Sequence, residues 1–222
     1  YWQGTLCFHA QWRPKRAGSK PAPTFRKFFL RYLRSLRPTL RIRLFFYVNF
    51  VLFVVKSLRM KKLLIVFHSM TSGTLQMAQA AASGAQSEPD VAVNLIHAAE
   101  AGPSELLQAD GYIFATPENL AMMSGVMKDF FDRTYYPALD RIIGRPYATL
   151  ICAGSDGENA ARQIQRIATG WRLKAIAEPI IVCTYAQTPD EILAKKQIGE
   201  FDLQRCEEIG ATLAAGLALG IY

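Results

Sequence analysis

The sequence predicts an α/β fold: a doubly wound sheet of five parallel strands. Three observations carry that expectation. From Lys61 onward, five short apolar runs alternate with five segments of helical pattern, and such alternation implies parallel strands joined by crossover helices. The loops after the first, third and fourth apolar runs are the most polar and the most Gly/Pro-punctuated of this region. In the order 2-1-3-4-5 they converge at one edge, beyond the strand C-termini, where doubly wound sheets bind ligands.

Taken in order, Lys62–Phe67 is the first strand, an apolar run of buried parallel type. Gly73–Ala85 is the first helix, Ala-rich and free of proline. Val91–Ile96 is the second strand, with Val91, Val93 and Leu95 alternating. Pro103–Ala109 is a short helix opened by a Pro-Ser pair. Gly111–Ala115 is strand three, and Thr116–Ser124 reads as a loop. Gly125–Tyr136 is helix three, with Val126, Phe130 and Phe131 on its apolar face and Pro137 as its stop. Tyr147–Cys152 is strand four, Ala153–Gly157 a loop and Glu158–Gly170 helix four. Ile176–Cys183 is strand five, where Pro179 signals an edge or a bulge. Pro189–Leu217 is the closing helix, continuous or broken.

The first loop is the most informative segment. His68-Ser69-Met70-Thr71-Ser72-Gly73-Thr74 joins strand one to helix one and carries four hydroxyls in six residues. A strand, a hydroxyl-rich turn and a helix N-terminus make an anion site, because the first backbone N–H groups of the helix have no intrahelical partner and its dipole favours negative charge. No Lys or Arg lies inside the loop. That predicts a phosphate held by neutral donors, and excludes the lysine grip of a nucleoside triphosphate P-loop.

Charge is segregated. Residues 1–59 hold 13 of the 26 Lys and Arg and no Asp or Glu, so residues 60–222 carry 13 basic against 18 acidic residues, a net of −5. A nucleic-acid reading of the overall +8 would therefore apply to the first 59 residues alone. The four cysteines, Cys7, Cys152, Cys183 and Cys206, form no CxxC pair and no metal-ligand spacing, which points to reduced thiols and a cytoplasmic setting. We expect two regions: a basic, apolar N-terminal extension over 1–59 and a domain over 60–222. Leu44–Val55 is apolar but shorter than a bilayer span. The extension reads as an interfacial membrane segment, as a targeting peptide, or, the reading we favour, as non-native sequence upstream of a start at Met60.

Two motifs resemble a known family. Ser69-Met-Thr-Ser-Gly-Thr74 is similar to the FMN-phosphate loop of flavodoxin-like proteins. Thr116-Pro-Glu-Asn, followed by Met123-Ser-Gly-Val-Met-Lys-Asp-Phe-Phe-Asp-Arg133, resembles a stretch of the NAD(P)H-dependent FMN reductases and flavodoxin-like quinone reductases. Ala153-Gly-Ser-Asp-Gly157 stands where that family places its third flavin loop. The resemblance covers residues 61 to about 215. It implies a flavodoxin-like fold of strand order 2-1-3-4-5 and one non-covalent FMN, with the phosphate on Ser69, Met70, Thr71, Ser72, Gly73 and Thr74. The ring would lie between Thr116, Pro117, Glu118, Asn119 and Leu120 on one side and Ala153, Gly154, Ser155, Asp156 and Gly157 on the other. It further implies NAD(P)H as electron donor and a quinone, flavin or similar small acceptor. Homo-oligomers occur among such reductases, and the resemblance leaves that assembly open. The loop Glu118-Asn119-Leu120 departs from the family in lacking an aromatic.

Other residues carry blander readings. His68 reads as a packed or partly exposed imidazole, His97 is assigned no role, Tyr135, Tyr136 and Trp171 read as helix-end packing, and Lys195-Lys196 as a solvated face. Arg162 and Arg166 share a helix face and are the candidates for a nicotinamide phosphate. No catalytic triad, paired carboxylates or metal cluster stands out, so no catalytic residue is assigned. Three functions compete: an FMN oxidoreductase, a flavodoxin-type electron carrier, and a phosphate-ligand module without redox chemistry.

Overall fold

The computed structural model describes Phe46, Tyr47 and residues 60–222. The chain divides into two compact units, 1–57 and 58–222. In the first, Phe46 and Tyr47 are helical and exposed. The rest of the expected extension, including most of the Leu44–Val55 run and Cys7, lies outside the described residues. Among the described residues no helix is long and apolar enough to cross a membrane.

The second unit is built on β1 (Lys61–Phe67), β2 (Val91–His97), β3 (Gly111–Asn119) and β5 (Pro146–Ala153), with the short β6 (Lys174–Ala175) and β7 (Ile180–Cys183) both on the far side of β5. These pairings are parallel, in the order β2-β1-β3-β5-β6/β7. The expected five-strand order 2-1-3-4-5 is therefore present, but of the expected fifth strand over Ile176–Cys183 only Ile180–Cys183 is strand, and the two-residue β6 precedes it. The gap between β6 and β7 ends at Pro179, which has no N–H to give the ladder.

Strand periodicity distributes the core to two faces. Leu64, Val66, Tyr112, Phe114 and Ile151 face α2 (Pro103–Gln108), α3 (Gly125–Ala138) and α4 (Glu158–Gly170), where Phe130, Phe131 and Trp171 close an aromatic cluster. Leu63, Ile65, Ile113, Leu150 and Cys152 face α1 (Gly73–Ala85) and α6 (Glu200–Leu219). Those two helices approach closely because of two glycines. A Cβ on Gly84 would stand 2.0 Å from the Glu207 carbonyl oxygen, and one on Gly210 would stand 1.9 Å from that of Ala81. Trp171 is fully buried; its Nε1–H donates to the Tyr135 carbonyl and Tyr135 stacks on its ring, as helix-end packing predicts, while Tyr136 is exposed.

Two expectations are corrected, and one left open is decided. The loop over Thr116–Ser124 is a hairpin: β3 continues to Asn119 and pairs antiparallel with β4 (Met122–Met123). Its turn residues, Leu120 and Ala121, sit at φ 50° and 59° without the Asn-Gly signature that marks such turns. Helix α3 runs through Pro137 to Ala138, since only its last turn meets the ring. The closing helix is two, α5 (Pro189–Leu193) and α6, because the N–H groups of the intervening Lys196 and Ile198 go to Thr71 and Gln76.

Candidate functional site

The C-terminal ends of β1, β3 and β5 open on one edge of the sheet, and a cleft of about 430 Å³ lies there. Of the first loop, Ser69, Met70, Thr71 and Thr74 line it. Ser72 and Gly73 form the turn behind. Ser72 is in the left-handed region at φ 68°, and its carbonyl accepts both the Gln76 N–H and the Gln76 side-chain amide. Gly73 is required by close approach: a Cβ there would come within 2.5 Å of Cys152 Sγ.

Of the second loop, Pro117, Glu118 and Asn119 line the cleft. Thr116 is fully buried instead and shares a hydrogen bond with Ser124, whose hydroxyl caps α3 through the Met127 N–H. Leu120 is 97% exposed at the hairpin tip and belongs to a separate apolar groove with Met122 and Ile167. Of the third loop, Ala153, Gly154 and Ser155 line the cleft, whereas Asp156 and Gly157 open α4. Gly157 sits at φ +85° and is the residue preceding the helix; Asp156 Oδ1 accepts the Glu158 N–H at 3.4 Å. Ten of the sixteen anticipated residues thus meet at one cavity, and six support it from behind or point away.

The polar atoms at this edge are unfinished. Among the described residues, the buried side-chain atoms without a hydrogen-bond partner are His68 Nδ1, Ser69 Oγ, Thr74 Oγ1 and Glu118 Oε1. All four stand at the exits of β1 and β3, and three belong to cleft residues. The Thr74 hydroxyl meets the Cys152 thiol, a weak partner at best. Native proteins leave few buried polar groups unpaired, so such a cluster marks where a ligand's polar atoms belong. Helix α1 begins at the same place with no side-chain cap and no acidic residue in its first turn. Unpaired N–H groups, a favourable dipole and uncommitted hydroxyls converge on one end of the cleft, and that donor set fits an anionic phosphate.

A family model described as NADPH-dependent FMN reductase matches residues 60–187. The chain belongs to the NADPH-dependent FMN reductase family. Over 73 residues, 33% of this chain and 40% of the relative, it is 38% identical to a flavodoxin of Aquifex aeolicus. Over 95 residues, 34% of this chain and 48% of the relative, it is 34% identical to an NAD(P)H dehydrogenase (quinone) of Acidithiobacillus ferrooxidans. The chain spans less than half the length of these two curated relatives. Among solved structures, a flavodoxin from the domain Archaea superposes with a TM-score of 0.57 at 22% identity, covering 70% of this chain and 98% of that one. A flavodoxin, WrbA-like protein from Agrobacterium tumefaciens gives 0.56 at 21% identity over 72% and 98%. These likenesses establish the flavodoxin-like fold.

In this member of the reductase family, sequence reasoning missed one wall of the cleft. Thr184, Ala186, Gln187, Ile192, Leu193 and Lys196, from the connection between β7 and α6, line it, as does Cys152 in its floor. Lys196 is half-buried at the rim and not on a solvated face. Burial pushes the Cys152 thiol up to about 11, against the pull of the Lys196 charge, so at neutral pH it is a neutral thiol and no nucleophile. Burial, then the neighbouring His97, lowers His68, whose ring packs edge-on against that of His97 at 5.5 Å. Arg162 and Arg166 lie outside the cleft. Among the described residues no group of three His, Cys, Asp or Glu could hold a metal ion.

Proposed function

We propose that residues 60–222 form a domain that binds one FMN in this cleft and works as an oxidoreductase, passing electrons from NAD(P)H to a quinone, a free flavin or a similar small acceptor. The observation that carries the reading is the coincidence of two buried hydroxyls without a nitrogen or oxygen partner, Ser69 and Thr74, with the uncapped N-terminus of α1. Membership of the FMN reductase family supports the same cofactor and donor.

In this reading Ser69, Thr71 and Thr74 donate to the phosphate, and the first N–H groups of α1 add their own bonds. Pro117–Asn119 and Ala153–Ser155 flank the ring and keep water from it. Glu118 holds those two loops together, since its Oε2 accepts the Gly157 N–H at 2.9 Å. FMN, when bound, supplies the electron chemistry, and the chain supplies position and environment. No side chain acts as a general acid. A cytoplasmic location follows from the reduced thiols expected of the sequence.

The second reading is an electron carrier, favoured by the Aquifex flavodoxin match. Carriers steer to their partners by charge, and a net of −5 over 60–222 is mild for that purpose. Steady-state oxidation of NADH and NADPH with a quinone present separates the two: turnover supports the oxidoreductase, and reduction only through a partner protein supports the carrier.

A further inference from the structure

We propose that Lys196 is a specificity-determining residue of the phosphate end: it supplies the positive charge that the hydroxyl loop lacks and makes the cleft prefer a phosphorylated flavin over an unphosphorylated one. The inference rests on the FMN reading above and assigns a role to a side chain outside all three flavin loops.

The backbone places the lysine. Its N–H donates to the Thr71 carbonyl at 2.7 Å, and its own carbonyl accepts the Gln76 side-chain amide at 2.7 Å. The same Gln76 accepts the Ile198 N–H at 3.2 Å and donates to the Ser72 carbonyl at 3.1 Å. The segment between α5 and α6 is thus bonded to the hydroxyl loop and to the first turn of α1 on both sides of the Lys196 Cα. Contact is close: a Cβ on Gly73, the first residue of α1, would lie 3.4 Å from Lys196 Cβ. Lys196 lines the same cleft as Ser69, Thr71 and Thr74, the last 1% exposed with its hydroxyl unpaired by nitrogen or oxygen.

The ammonium is held but not neutralised. Nζ donates to the carbonyls of Glu191 and Ile192 in the last turn of α5, which occupies two of its three protons. Among the described residues no carboxylate forms an ion pair with it. The nearby Glu191 carboxylate is engaged by the N–H groups of Gln187 and Thr188. One donor and the full charge therefore remain for an anion. Hydroxyls serve a neutral or a charged oxygen alike, whereas an ammonium gains chiefly from a charged one. That difference makes Lys196 a discriminator and not only a wall.

The test is a fluorescence titration of FMN and of riboflavin into the full chain and into K196M and K196R. K196M is expected to bind FMN roughly tenfold to a hundredfold more weakly, with riboflavin affinity unchanged, and K196R to retain most of the FMN affinity. The salt dependence of FMN binding gives a measure that needs neither riboflavin nor a well-behaved variant. Wild-type affinity should fall with rising salt, and more steeply than that of K196M. Equal losses for both flavins would make the lysine a structural cap of α5 and overturn the proposal. Unchanged FMN affinity in K196M, or wild-type FMN binding indifferent to salt, would overturn it too. A wild-type chain that binds neither flavin would instead overturn the FMN reading on which it stands.

Discussion

Glu118 accepts the Gly157 N–H through Oε2 at 2.9 Å, and its second oxygen, Oε1, is buried without a partner. One carboxylate thus ties the end of β3 to the turn that opens α4, 39 residues later. The bond is charge-assisted and acts beside two others between the hairpin and α4, from Asn159 Nδ2 to the Ala121 carbonyl at 2.6 Å and from the Met123 N–H to Gln163 Oε1 at 3.1 Å, so it helps set the width of the flavin slot in our account. E118A should lower unfolding stability by roughly 1.5–3 kcal/mol, and E118Q, which keeps an acceptor, by less than half of that. Chemical denaturation of the two variants checks the difference; equal losses would show that the tie is not what the acceptor contributes.

Thr74 yields effects of opposite sign. In the free protein its buried hydroxyl has the Cys152 thiol as a weak neighbour and no nitrogen or oxygen partner. T74V replaces it with a methyl of the same shape. Stability of the free chain should be unchanged or raised by up to about 1 kcal/mol, because a polar group is no longer buried unpaired. FMN affinity should fall by roughly 1.5–3 kcal/mol, and further in T71V/T74V. Thermal melting and flavin titration on the same samples check both; a destabilised free protein with normal FMN affinity would misplace the phosphate.

Much of this was legible beforehand, for physical reasons. Parallel strands buried on both faces read as apolar runs, and βα crossovers alternate with them, so the parallel sheet follows from pattern alone. The convergence of three loops required the order 2-1-3-4-5 as well, which the flavodoxin-like resemblance implies and alternation does not fix. The hydroxyl cluster stands in one continuous segment, which makes it visible. Lys196 was hidden for the opposite reason: its position depends on Gln76, 120 residues away, and on Thr71, and nothing local distinguishes it from Lys195. The hairpin over 119–122 was hidden because Leu120 and Ala121 adopt positive φ without Gly or Asn. Leu120 consequently points to solvent, although its position between two cleft-lining motifs suggested ring contact.

Gly73 and Cys152 should behave as a coupled pair. The glycine is needed because Cys152 Sγ would stand 2.5 Å from an added Cβ. G73A alone should cost about 1–3 kcal/mol through overpacking. In a C152A background the sulfur is gone and most of that cost should vanish, leaving a coupling energy well above the additivity error of about 0.5 kcal/mol. A double-mutant cycle by urea denaturation measures it, and additive losses would contradict the contact.

Buried thiols predict an alkaline weakness. Burial holds Cys152 up to about 11 and Cys206 up to about 12, from an ordinary value of 9.0. The unfolded chain releases these protons as pH rises through 9 while the folded chain keeps them, so folding stability is full below pH 9 and falls above it. Each thiol contributes a slope of up to about 1.4 kcal/mol per pH unit. Tyr112, pushed up to about 12 by burial, adds to the loss only above its ordinary value of 10.0. Denaturation at pH 8, 9 and 10 should show the decline, and C152A/C206A should flatten its slope; an identical slope in the double variant would remove the thiols as its cause.

The most direct measurement is the titration of FMN into the purified chain, followed by flavin fluorescence and by absorption. The account predicts saturation at one FMN per chain with a perturbed flavin spectrum, and a weaker complex in T71V/T74V. A chain that neither perturbs the flavin spectrum nor quenches its fluorescence would contradict it.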